Sequence, residues 1–292
     1  MNNNILVLGS GRCGSAFLCT VLNNGGMEVV KEFFGVSLSH IQSIHLPILL
    51  EYYQHSFVEG VLGYNKLLQT LSSYESEELS RIFKNKTVIA KNDIDINCFK
   101  NYKKFKNDPD FLVKIFHSHI NGEINNIDVK ELIPLFDKYI ILYRKNFLRQ
   151  YISFEKANAI NVWNWRPNDS ENDRYKNLKI EWKLNRFNNL VKRRTEAWLI
   201  FYEAIKDLPN PKAIICYEDF AYKDDPQQYI QEVLDENGFD HTVNRKFIRG
   251  QQKQADESIP IEDNFSNKED FLKDYDSIKE MVDCKIFDDV TL

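Results

Sequence analysis

The chain has 292 residues, 43% hydrophobic and 28% charged, enough to bury a substantial core in one large α/β domain or two small ones. That composition excludes a disordered chain, and a net charge of −5 with a pI near 5.8 argues against a nucleic-acid binder, which is ordinarily basic. No stretch approaches the roughly 20 apolar residues of a membrane span. The start, MNNN, runs directly into an apolar segment and predicts no signal peptide. Cys13, Cys19, Cys98, Cys216 and Cys284 are scattered without CxxC spacing, which predicts reduced thiols in the cytoplasm rather than a disulfide frame or a zinc site.

Short apolar runs rich in β-branched residues recur at 5–8, 28–31, 87–90, 111–116, 139–143 and 213–217. Between them lie helix-length segments at 15–24, 44–71, 129–135, 147–159 and 184–207. Alternation of this kind predicts buried parallel strands joined by helical crossovers, a single α/β domain over 1–292. In the last helix Leu184, Phe187, Val191, Trp198, Phe201 and Ile205 share one stripe, a core face rather than a binding feature. The polar stretch 161–177, with Trp163 and Trp165, has no periodicity and reads as an inserted loop or lid whose tryptophans either stack on a sugar or anchor the loop.

The first segment that carries chemistry is ILVLGSGRCGSAF at 5–17. A buried strand, a glycine-rich turn and a helix form the arrangement in which backbone N–H groups at a helix N-terminus hold a phosphate. Gly9 and Gly14 have the spacing of the triphosphate-binding loop GxxxxGK[ST], but Ser15 and Ala16 follow. The phosphate-gripping lysine and the magnesium-binding hydroxyl are therefore missing, and the cation, Arg12, sits inside the loop. The loop reads as a phosphate site of a kind other than a magnesium NTPase, or else as a tight turn with no ligand.

Residues 12–17, Arg-Cys-Gly-Ser-Ala-Phe, resemble the 5'-phosphosulfate loop of the sulfotransferases that use 3'-phosphoadenosine-5'-phosphosulfate, with Cys13 and Ala16 as departures. The segment 138–157, KYIILYRKNFLRQYISFEKA, strengthens the likeness. In that family an Arg at a strand end and a Ser eight or nine residues later bind the nucleotide's 3'-phosphate; here they are Arg144 and Ser153. A rigid guanidinium matches two phosphate oxygens and a hydroxyl adds a third bond. The alternative is a solvated basic helix start made by Arg144, Lys145 and Arg149. Lys31-Glu32-Phe33-Phe34 resembles the strand end that carries the general base in the bacterial carbohydrate-type branch (trehalose, lipopolysaccharide and Nod-factor-like enzymes), which assigns Glu32 that role. His40, His45 and His55 are its rivals, and a surface ion pair is the plain alternative. Lys114 resembles a family strand lysine that either reaches the site or stays at the strand margin. Cys216-Tyr217-Glu218-Asp219-Phe220 matches a late structural strand, and Lys253-Gln254 with Asn264 and Asn267 resembles the late loop that closes over the nucleotide. His117 and His119, placed on a strand, would share a face but lack a third ligand, so no metal is predicted.

The resemblance implies an α/β, P-loop-like fold with a central parallel sheet flanked by helices. It implies transfer of a sulfuryl group to an acceptor hydroxyl on a carbohydrate or other small alcohol, with no metal. Ser10, Gly11, Arg12, Cys13, Gly14, Ser15, Ala16, Arg144, Ser153, Lys253 and Gln254 would bind the donor, and Glu32 and Arg12 would act in the chemistry. The implied partners are a small-molecule or glycan acceptor, with a homodimer left open. A divergent nucleotide kinase or NTPase, and a nucleotide- or glycan-binding protein without catalysis, are the two other readings.

Overall fold

The computed structural model describes residues 4–23, 27–31, 110–120, 128–160, 177–245 and 259–288. The expected elements at 44–71 and 87–90 and the stretch 161–176 lie outside the described residues. Five strands, β1 (Ile5–Gly9), β2 (Glu28–Lys31), β3 (Phe111–Phe116), β4 (Lys138–Tyr143) and β5 (Lys212–Cys216), form one sheet in the order β2-β3-β1-β4-β5, and every neighbouring pair is parallel. The fold is α/β with a central parallel sheet flanked by helices, as the alternation of short apolar runs predicts, and it is consistent with the P-loop-like fold that the resemblance implies.

Parallel strands need helical crossovers, and these cover both faces of the sheet. On one face α1 (Ser15–Leu22), α6 (Tyr217–Ala221) and α7 (Pro226–Glu236) bury Phe17, Leu18, Phe220, Ile230 and Leu234 against Val7, Ile140 and Ile215. The other face packs against a short turn α2 (His117–Ile120), α3 (Val129–Leu132) with its 3₁₀ extension Ile133–Leu135, α4 (Phe147–Ile160), α5 (Leu184–Ile205) and α8 (Lys268–Ile278). Phe187, Trp198, Phe201 and Ile205 of the predicted stripe are fully buried, with Leu184 and Val191 packed at its margin. Each such side chain contributes about 1.5–3 kcal/mol of burial. The stripe therefore fixes α5 against the sheet.

Several boundaries differ from expectation by one or two residues. α1 stops at Leu22 rather than at residue 24, where Asn23 turns extended and its N–H returns to the Cys19 carbonyl. β5 ends at Cys216, so Tyr217-Glu218-Asp219-Phe220 forms the first helical turn after the strand instead of continuing it. His117 likewise begins a helical turn, not a strand, so the strand argument for the His117–His119 pair does not apply. No described helix is long and apolar enough to cross a membrane.

Candidate functional site

The site follows from the topology. β1 lies between β3 and β4, with the chain after β1 leading toward β2 on one side and β4–β5 lying on the other. The loop after β1 and the segment after β4 thus meet where the strand order reverses, the place where open α/β sheets receive ligands. Residues 10–14 form that loop. Arg12 has a φ of 68° and Gly14 a φ of 79°, both in the left-handed region. Glycine accepts this freely, whereas for arginine it costs about 1–2 kcal/mol, a strain that persists only when its surroundings impose it.

The surroundings here are side-chain donors, one set for each carbonyl of Ser10, Gly11 and Arg12. Cys13 Sγ donates to the Ser10 carbonyl at 2.7 Å and accepts from the Ser10 N–H at 3.2 Å. Gln150 Nε2, from α4, donates to the Gly11 carbonyl at 2.9 Å and to Ser10 Oγ at 2.7 Å. Arg144 donates to the Arg12 carbonyl at 3.2 Å. Three successive carbonyls are thus occupied by protein donors. Gly14 then serves as the N-cap of α1, which has no side-chain cap, so the helix opens on backbone N–H groups and the positive end of its dipole. An arrangement of this kind can hold an anion.

Arg12 and Ser153 are joined directly: Arg12 Nε donates to Ser153 Oγ at 2.9 Å. Arg144 is 4% exposed, lies 4.7 Å from the centre of the Tyr217 ring, and makes an ion contact of 3.5 Å with Glu218. Glu218 in turn accepts the N–H groups of Lys145 and Asn146 at 2.8 and 3.1 Å. One carboxylate thereby fixes both the guanidinium and the start of α4 that delivers Ser153. Tyr217 also sets the loop's shape, because a Cβ on Gly14 would stand 2.7 Å from its Cδ2.

The structure brings Ser10, Gly11, Arg12, Cys13, Gly14, Ser15, Ala16, Arg144 and Ser153 into one cluster. The departure at Cys13 has a local reason, since its thiol ties both polar groups of Ser10, as a serine hydroxyl could. Arg144 is buried, so of the three residues in the basic-helix-start alternative it is not a solvated one, whereas Lys145 stands half-exposed and pairs with Asp288. Lys114 is also buried, at mid-strand, with Nζ 4.3 Å from the centre of the Phe116 ring. Asn264 and Asn267 have structural partners: Asn264 donates to the Pro260 and Ile261 carbonyls, and Asn267 exchanges hydrogen bonds with the backbone of Trp182. Glu32, His40, His45, His55, Trp163, Trp165, Lys253 and Gln254 lie outside the described residues. Among the described residues no three His, Cys, Asp or Glu side chains gather as a metal site.

Residue-by-residue reading missed Gln150, Arg194 and the role of Glu218. Gln150 is fully buried and lies three residues before Ser153, a helical spacing that puts both on one face. Arg194 carries no sequence signal beyond its place one turn before Trp198 on the buried stripe. Away from the loop, a groove of about 670 Å³ between α2, α3 and α5 is lined by Ile120, Val129, Leu199 and Ile200 and includes none of the cluster. No family model and no curated protein matches the chain.

Proposed function

We propose that the chain is a sulfotransferase that moves a sulfuryl group from 3'-phosphoadenosine-5'-phosphosulfate to an acceptor hydroxyl on a carbohydrate or other small alcohol, in the cytoplasm. The observation that carries this reading is the Arg12–Ser153 hydrogen bond together with the Arg144 contact to the Arg12 carbonyl. It couples a phosphate-type loop to a second basic site, which a ligand bearing two separate phosphates requires and a simple NTPase does not. The four described cysteines are free thiols, consistent with a reducing compartment.

In this reading the N–H groups of Gly14, Ser15 and Ala16 hold the 5'-phosphate. Sulfuryl transfer builds charge on the bridging oxygen of that phosphate as the S–O bond breaks. Arg12 stabilises the charge, as donors aimed at developing charge do in phosphoryl transfer. Arg144 and Ser153 select the 3'-phosphate, and Glu32 takes the acceptor's proton. A kinase reading is disfavoured because Ser15 stands where that loop needs its lysine.

The test has two parts. Titration with adenosine 3',5'-bisphosphate and with ATP, with and without magnesium, separates the classes: preference for the bisphosphate without metal supports the proposal, and magnesium-dependent ATP binding overturns it. A screen of sugars, lipids and small alcohols with sulfur-35 labelled donor then identifies the acceptor. Bisphosphate binding with no transfer to any acceptor would favour a non-catalytic binding protein.

A further inference from the structure

Arg194 stands in the middle of α5 and is 1% exposed, among the most deeply buried side chains of the chain. Its Nη2 lies 3.5 Å from the Gly11 carbonyl, at the outer limit of a hydrogen bond, and its guanidinium lies 5.6 Å from the centre of the Phe154 ring. Its Nε and Nη1 are buried and have no hydrogen-bond partner among the described residues. No salt bridge pairs it with a carboxylate among the described residues; Glu218 is engaged by Arg144 instead. A buried cation without a paired anion is costly, and leaving donors unmade adds to that cost. Burial holds its pKa down at about 9; the Cys13 side opposes that shift and the nearby charge of Arg144 adds to it. Such a group persists where a fold keeps it for a ligand.

We propose that Arg194 is a positioning residue for the anion of the 10–14 loop: an internal positive charge, applied through the Gly11 carbonyl, that a bound phosphate dianion compensates. Deepening the proposed function, this rests only on its claim that the loop holds a phosphate. Arg194 reaches the carbonyl side of the loop, so it acts on the ligand through the backbone and through its field rather than by touching it. Three guanidinium groups, those of Arg12, Arg144 and Arg194, then surround one loop, and Glu218 is the carboxylate paired with one of them. An arriving dianion relieves repulsion inside the protein at the moment it binds, and the molecule should gain thermal stability with it. Arg144 selects for the 3' position; Arg194, lying under the loop itself, should act on every ligand that fills the loop.

The experiment uses the full chain with inorganic pyrophosphate, adenosine 5'-monophosphate and adenosine 3',5'-bisphosphate, read by calorimetric titration and by melting temperature. R194M removes the charge at similar volume, and R194Q removes it while keeping a donor toward Gly11. Both variants should bind all three ligands about 10-fold more weakly, a loss equivalent to about 1.4 kcal/mol, and the ligand-induced rise in melting temperature should shrink in step. Without ligand they should melt at or above the wild-type temperature. Wild-type affinity in R194Q, or a loss confined to the bisphosphate, overturns the proposal. So does failure of both variants to fold, which makes Arg194 a structural residue. A wild-type chain that binds pyrophosphate but not the bisphosphate leaves Arg194 its role and removes the sulfotransferase reading. One that binds no phosphate at all overturns both.

Discussion

Arg12 and Ser153, 141 positions apart in the chain, share a 2.9 Å hydrogen bond in which the guanidinium Nε donates to the hydroxyl. Arg12 reaches it from a left-handed backbone conformation, so the bond and the strained φ belong to one arrangement. Ser153→Ala should destabilise the fold by about 0.5–1.5 kcal/mol, the usual worth of such a bond. In the proposed function it should also weaken adenosine 3',5'-bisphosphate binding. A double-mutant cycle of Arg12→Ala with Ser153→Ala, read by denaturant melts, checks the first statement. Additive losses would show that the two side chains act independently.

Arg12→Ala should lower turnover more than donor affinity, because its interaction grows as negative charge develops on the leaving phosphate. Steady-state kinetics with labelled donor make the check. An unchanged kcat with a raised KM would assign Arg12 to ground-state binding.

For Arg144→Ala the expected loss is about 1.5–3 kcal/mol of affinity for ligands with a 3'-phosphate, the range for hydrogen bonds to charged groups, and it should be clearly larger than the loss for ligands without one. Paired titrations with the 3',5'-bisphosphate and the 5'-monophosphate decide it, and equal losses would refute the role. Arg144→Lys should not restore wild-type affinity, because an ammonium lacks the planar fork and cannot reproduce the stacking on Tyr217.

How far the sequence reaches differs between the sheet and the site. Strands β2 and β3 have the boundaries their apolar runs predict; for β3, a parallel strand buried on both faces, the run is continuous and apolar except for Lys114. Glycine punctuation marks the 10–14 loop, and a nine-residue spacing marks Arg144 and Ser153. Both signals are local. The supports of the loop are not: Gln150 meets Gly11 across 139 positions and Arg194 meets it across 183. Gln150 lies inside the 138–157 segment but is none of its matched positions, Arg194 lies in no motif, and the packing of α4 and α5 on the sheet brings them there. Glu218 was visible as part of a motif, but its work, accepting the N–H groups of Lys145 and Asn146, depends on β5 ending at Cys216 rather than a residue later. The helices at Pro226–Glu236 and Lys268–Ile278 were not anticipated, because their faces carry few apolar residues, with Ile230 and Leu234 buried on one and Phe271 and Ile278 on the other.

Gly14 tests the loop's shape. A Cβ there meets Tyr217 Cδ2 at 2.7 Å, and the φ of 79° disfavours any other residue. Gly14→Ala should therefore cost about 1–2 kcal/mol for the backbone and about 1–3 kcal/mol for the overlap. In a Tyr217→Ala background the overlap with that ring disappears, while the backbone cost and the close approach to Phe220 Cζ at 3.1 Å remain, so Gly14→Ala should cost less there. Urea melts of the four proteins give the comparison. The same penalty in both backgrounds would mean that the ring moves aside freely.

Lys156 gives a pH-dependent prediction. It is buried on α4 three residues beyond Ser153, and burial holds its pKa down at about 8 against an ordinary 10.5. Between these values the unfolded chain keeps a proton that the folded one has released, so this residue's contribution to stability rises with pH from about 8 to 10.5 and is most unfavourable below 8. Other buried groups oppose it. Cys216 and Tyr139 are both pushed up to about 12 by burial and stay neutral in the fold while ionising in the unfolded chain, which lowers stability above their ordinary values of 9.0 and 10.0. The total curve therefore hides the lysine, and the difference between two proteins exposes it. Lys156→Met should raise the melting temperature relative to wild type most at pH 7, and the gap should narrow steadily from pH 8 to 10. The other titrations cancel in that difference because both proteins share them. A gap that stays constant across the range would show that Lys156 keeps its proton in the folded protein.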